Sequence, residues 1–108
     1  MAAKPKAAFP SVETVSHIAQ MLKAMGDPVR LRILYHLRQR EYTVSELVEE
    51  LGCSQANVSK HLSILKAAAL VESRTDKQNR LYHVTDPVVN SVCDSVCSSI
   101  ERRYGAKT

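Results

Sequence analysis

Apolar positions recur at three- and four-residue spacing along most of the chain, and each stretch is closed by a stop signal. Val15, Ile18, Ala19, Leu22 and Met25 form one stripe, which predicts a first helix over about 12–25 with Ser11 as N-cap. Thr14 rather than Glu stands three positions after Ser11, so no capping box is expected there. Gly26 ends this helix. Asp27 caps the next, and Pro28 takes the first helical position, where its missing N–H costs nothing. The second helix, about 28–39, buries Val29, Ile33, Leu34 and Leu37, with Arg30, Arg32 and Arg38 off that stripe. Thr43 caps a short third helix with Glu46 three residues on; Leu47, Val48 and Leu51 are its inner side. Gly52 breaks it as a left-handed C-cap, and Ser54 caps a fourth helix over 55–68 with Val58, Leu62 and Leu65 inward.

The period then changes. Leu70–Thr75 and Arg80–Thr85 are β-prone runs joined by Asp76-Lys77-Gln78-Asn79, which predicts a polar hairpin with a basic tip. Asp86-Pro87 repeats the Asp-Pro start, and a last helix of about 87–104 carries Val89, Val92, Val96 and Ile100. Residues 1–10 are Ala/Lys/Pro-rich, with Pro5 and Pro10, and read as a flexible arm ahead of one domain over 11–106. The fold class is mainly α with a small β-hairpin, in the order α-α-α-α-β-β-α.

Composition narrows the function class. Across 108 residues, 44% apolar and 24% charged positions describe a globular chain, and one Phe with no Trp leaves Leu, Ile and Val to build the core. No run approaches the ~18 apolar residues of a membrane helix. The first ten residues lack the apolar core of a secretory signal, so a cytoplasmic chain with no membrane partner is expected. Its three cysteines, Cys53, Cys93 and Cys97, are then thiols, ligands or core fillers rather than structural disulfides. The net charge of +4 is modest, but it is segregated. Acids gather at Glu41, Glu46, Glu49 and Glu50, whereas Lys60, Lys66, Arg74, Lys77 and Arg80 follow. Such a basic stretch suits a polyanion.

Leu47 to Val58 reads as helix, glycine turn and capped second helix, a helix–turn–helix whose second member can enter a major groove about 12 Å wide. With Val58, Leu62 and Leu65 inward, helical geometry turns Ala56, Asn57, Lys60 and Ser63 outward and leaves Ser59 at the margin. Ser54 and Gln55 stand at the N-terminal end, where free N–H groups favour phosphate. Gln can pair with adenine, Ala can meet a thymine methyl, and Lys can donate to guanine or phosphate. Beside such a helix, Arg74, Lys77, Asn79 and Arg80 read as a wing on backbone or minor groove.

Three segments carry a family resemblance: Gly26-Asp27-Pro28-Val29-Arg30-Leu31-Arg32-Ile33-Leu34, Leu51-Gly52-Cys53-Ser54-Gln55-Ala56-Asn57-Val58-Ser59-Lys60-His61-Leu62, and Leu65-Lys66-Ala67-Ala68-Ala69-Leu70-Val71. In this order and spacing they resemble the ArsR/SmtB family of bacterial winged-helix repressors, over about residues 13–104. The resemblance implies a homodimer through the first and last helices, a palindromic double-stranded operator, and release by an inducer. It implies that Gln55, Ala56, Ser59 and Lys60 face DNA. Ala69 departs from the Gly usual there, and a left-handed Ala costs about 1 kcal/mol.

Two metal sites of that family are not written here. Where one has Cys-Val-Cys, this chain reads Thr43-Val44-Ser45; along the last helix Asp86 matches, but Val88 and Ser99 stand where His is expected. What remains is Cys93 and Cys97, at a spacing that puts both sulfurs on one side of a helix. On the Val89/Val92/Val96/Ile100 stripe, Cys93 lies at the edge and Cys97 further out. Close thiols bind trivalent arsenic or react with oxidants. The expected inducer is arsenite or another trivalent arsenical; Cys53 is a less favoured third donor, and no resident cofactor is required. Persulfide or oxidant sensing at the same pair, and DNA binding with inert cysteines, are the alternatives. An enzyme is not expected: Cys93 and Cys97 do not make a Cys-X-X-Cys pair, and His17, His36, His61 and His83 are scattered.

Overall fold

Local capping chemistry sets nearly every boundary in the computed structural model, which describes residues 9–105. Residues 1–8 of the expected arm, and the expected domain end at 106, lie outside the described residues. The elements are α1 (Val12–Met25), α2 (Pro28–Gln39), α3 (Val44–Leu51), α4 (Gln55–Ala67), β1 (Val71–Asp76), β2 (Asn79–Val84) and α5 (Val88–Tyr104). Ser11 Oγ accepts the Thr14 amide at the start of α1. The Asp27 carboxylate accepts the amides of Val29 and Arg30 at 2.9 and 3.1 Å, and these bonds hold its pKa below the ordinary value. Thr43 and Glu46 close a full capping box, each side chain accepting the other's backbone N–H.

The α4 end is a Schellman motif. Leu70 N–H donates to Leu65 O and Ala69 N–H to Lys66 O, with Ala69 at φ 62° where glycine is favoured. Leu65 and Leu70, the hydrophobic pair of this motif, are fully buried. The helix therefore stops one residue before the expected end. At the other boundary the Asp86 carboxylate accepts Val88 N–H, but Pro87 takes the N-cap position and α5 begins at Val88, one residue late.

The hairpin is tighter than the predicted four-residue link. Asp76 pairs with Asn79, leaving only Lys77 and Gln78 in the turn, and Lys77 takes a φ of 61°. Positive φ at the first turn residue alone is the II′ pattern, which matches the twist of the flanking strands. Tyr42 adds a connection absent from the periodicity. It exchanges two backbone hydrogen bonds with Tyr82 at 3.2 and 2.8 Å, joining the α2–α3 link to β2.

The core is aliphatic, as the composition requires. Ile33, Leu34, Leu47, Val58, Leu62, Leu65, Leu70, Val71 and Val89 are fully buried, each contributing roughly 1.5–3 kcal/mol by burial. Most of the α1 stripe is left uncovered: Val15, Ile18 and Leu22 are 43–50% exposed, and only Ala24 and Met25 in the last turn are buried. The same holds for Val96, Ile100 and Tyr104 of α5. Two helices thus present apolar surface outward.

Candidate nucleic-acid interface and thiol groove

The α3–turn–α4 unit works because Gly52 adopts φ +69° and Ser54 immediately caps α4, so the chain reverses within three residues. Four buried residues of α4, Val58, His61, Leu62 and Leu65, anchor one face. The opposite face presents Gln55, Ala56, Ser59, Lys60 and Ser63, all exposed. Asn57, expected to point outward, is half-buried. Ser54 is exposed, but its hydroxyl is already accepting the Asn57 amide at 3.1 Å. This surface is small, polar and cationic, and it stands at a helix N-terminus.

The wing residues divide into two kinds. Lys77, Asn79 and Arg80 are exposed at or beside the turn. Lys66, from the last turn of α4, donates to Ser73 Oγ at 3.3 Å, and Arg80 donates to the same oxygen at 3.4 Å, so two cations converge between α4 and the hairpin. Arg74 differs. Its guanidinium donates three hydrogen bonds of 2.7–3.1 Å to Glu41, which holds the Glu41 carboxyl below its usual pKa and ties β1 to the α2–α3 link. Arg74, exposed like the other wing residues, also braces the hairpin, because Glu41 arrives beside it through the Tyr42–Tyr82 bridge.

The cysteines occupy a different place. Cys93 is buried with Val89 on the inner line of α5, not at the edge of the stripe. The stripe read from the sequence mixes two directions: Val89, Val92 and Cys93 face the body, whereas Val96 and Ile100 face outward. Cys93 and half-buried Cys97 line a groove of about 470 Å³ between α1, α2 and α5, with Leu22, Tyr35, Val96 and Ile100 around them. Burial pushes the Cys93 thiol and the Tyr35 phenol up in pKa. Cys97 Sγ lies 3.9 Å from Glu101 Oε2. Arg38 clamps α5 from α2, donating to Asn90 Oδ1 at 2.7 Å and Asp94 Oδ1 at 2.6 Å. Cys53 is half-buried against the core in the helix–turn–helix and does not line the groove. Among the described residues no group of three or more His, Cys, Asp or Glu is placed to hold a metal.

Sequence reading missed His61 and Arg30. The signal for His61 was present, since Val58-His61-Leu62-Leu65 completes an i, i+3, i+4, i+7 face. Arg30 lies off the apolar stripe yet is half-buried, its guanidinium reaching the α1 end and His61.

A three-helix body with a helix–turn–helix and a two-stranded wing defines a winged-helix regulator of the nucleic-acid-binding class. The family model described as "Bacterial regulatory protein, arsR family" matches residues 27–73. The chain is 36% identical over 93 residues to the HTH-type transcriptional repressor SmtB of Mycobacterium tuberculosis, covering 85% of this chain and 69% of that protein. It is 41% identical over 71 residues to a probable mercury resistance operon repressor of Streptomyces lividans, covering 66% of this chain and 57% of that one. The crystal structure of NolR from Sinorhizobium fredii superposes with a TM-score of 0.74 at 33% identity, covering 94% of this chain and all of that one. The chain belongs to the ArsR/SmtB family. Its relatives are DNA-binding regulators, not enzymes.

Proposed function

We propose that this chain is a homodimeric transcriptional repressor that binds a palindromic double-stranded operator and leaves it when a thiol-reactive inducer engages Cys93 and Cys97. The observation that carries the reading is the outward α4 face of Gln55, Ala56, Ser59 and Lys60 on a chain that also leaves apolar α1 and α5 surface unpaired. A second copy on that surface places two α4 helices on one duplex, and half-sites one helical turn apart, about 34–36 Å, suit such a pair. Membership of the family, with named repressors among the relatives, supports it. A soluble DNA-bound regulator acts in the cytoplasm, and no described helix is long and apolar enough to cross a membrane.

The proposed inducer is arsenite or another trivalent arsenical, whose hydroxyl groups condense with two thiols and release water. For a third thiolate this reading favours a thiol of a second copy's last helix over Cys53, which does not line the groove. Persulfide or oxidant sensing is the second reading, favoured by one observation: the groove holds two thiols on a single helix and no third thiol among its lining residues. An operator-release assay on the DNA upstream of the coding sequence, with arsenite, cadmium, zinc, persulfide and peroxide, separates these. Release by arsenite in wild type but not in Cys93→Ser/Cys97→Ser supports the first. Release of the double variant by every agent overturns sensing at this pair.

A further inference from the structure

Lys66 and Arg80 meet over one oxygen. Lys66 Nζ lies 3.3 Å and Arg80 Nη1 3.4 Å from Ser73 Oγ, so cations from α4 and from β2 flank a single hydroxyl on β1. Both cationic side chains are exposed, and Ser73 is half-buried. Among the described residues no carboxylate stands within ion-pair distance of Lys66 or Arg80, whereas Arg74, next to Ser73 on β1, is held by Glu41. Ser73 Oγ accepts from both cations, and its own proton has no acceptor among the described residues. An ammonium, a guanidinium and a hydroxyl with protons to give are the donor set that a phosphate takes.

Two periodicities place this cluster. On α4, Ser59, Ser63 and Lys66 lie four, eight and eleven residues after Gln55, which puts all four on one face. On the hairpin, Ser73 opposite Tyr82 and Arg80 opposite Thr75 share one face of the two strands. The outward row of α4 therefore leads to the wing at Ser73. A duplex that takes α4 in its major groove and the wing in the adjacent minor groove carries a sugar–phosphate strand between them. The junction of α4 and hairpin is where that strand passes.

We propose that Lys66, Ser73 and Arg80 form one seat for a single backbone phosphate of double-stranded DNA, on the strand that separates the two grooves. The seat rests on the DNA-binding reading above and adds Lys66 and Ser73 to its contacts. The phosphate oxygens take the protons now directed at Ser73 Oγ, and the hydroxyl turns from acceptor to donor. Because the donors come from the helix and from both strands, an occupied seat also fixes the wing against α4. It sets register on the duplex and carries no base preference.

The test is fluorescence anisotropy at several salt concentrations on duplex DNA from the region upstream of the coding sequence. Wild type, Lys66→Gln, Arg80→Gln and the double variant are compared; both side chains are exposed, so the variants keep the fold. Each phosphate neutralised contributes about 0.9 to the slope of log affinity against log salt. A shared seat predicts that the double variant loses about 1 from that slope, and that the two single losses together do not exceed it. A loss of about 2, split evenly between the single variants, means two separate phosphates and overturns the seat. An unchanged slope with the duplex still bound overturns it too, whereas wild type that binds no duplex at any salt overturns the DNA-binding reading instead. A second readout replaces phosphates one at a time by neutral methylphosphonate. One position in each half-site should weaken wild type and leave the double variant unaffected, and a scan with no such position overturns the seat.

Discussion

Arg74 on β1 and Glu41 on the α2–α3 link form a forked ion pair with all three hydrogen bonds between 2.7 and 3.1 Å. The arginine that the sequence offers as a DNA contact is thus engaged within the protein. Arg74→Ala should loosen the wing and change the salt dependence of operator binding less than Lys77→Ala or Arg80→Ala, whose side chains are exposed and proposed to meet phosphate. Titrations at several salt concentrations check this.

The same pair gives a pH dependence of stability. The Arg74 guanidinium lowers the Glu41 pKa, so the stabilisation is fully present above the usual carboxylate value. It is lost as pH falls through the lower folded-state value. Denaturant midpoints of wild type and Glu41→Gln should differ at pH 7 and converge in strong acid.

On the proposed DNA-binding face, Gln55→Ala should cost about 1–3 kcal/mol of operator affinity and relax preference at one base pair. Lys60→Ala should weaken operator and mismatched DNA alike and lower the salt slope by about 1. Anisotropy titrations on operator and single-mismatch duplexes read both effects.

Helix-end geometry supplies an independent check. Ala69 sits at φ 62°, where a side chain costs on the order of 1 kcal/mol, while Gly52 occupies the same region without strain. Ala69→Gly should therefore hold or raise the melting temperature despite the greater freedom of the unfolded chain, and Gly52→Ala should lower it. Thr43→Ala, which opens the capping box of α3, should cost about 1 kcal/mol. Thermal and denaturant unfolding measure all three.

Burial raises the Cys93 pKa, so little of it is thiolate at neutral pH. Alkylation of Cys93 should be slow at pH 7 and accelerate only above the ordinary thiol range. Peptide mass spectrometry after timed labelling reports it.

Much of this fold was legible because its boundaries are written locally. Asp27-Pro28, Thr43 with Glu46, Gly52 and Ser54 each satisfy specific backbone groups, and each acts where the sequence placed it. The outward residues of α4 followed from Val58, Leu62 and Leu65. What periodicity could not give was the partner of each stripe. An apolar row on α1 or α5 looks the same whether it covers its own core or awaits another chain, so the Val89/Val92/Val96/Ile100 row reads as one stripe although Val96 and Ile100 face outward. Long-range polar pairs were hidden for a similar reason. Nothing local to Arg74 announces Glu41, and nothing local to Arg30 announces His61.

The apolar rows of α1 and α5 bear on the central claim, that two copies present paired α4 helices to one duplex. Sedimentation of the protein with and without DNA from its own upstream region, for wild type and Ile18→Asp/Val96→Asp, tests it most directly. The account predicts a wild-type dimer, two chains per duplex, and a double variant that stays folded but is monomeric and loses the operator. A wild-type monomer that binds the duplex as a single chain, or a monomeric variant with undiminished affinity, would contradict it.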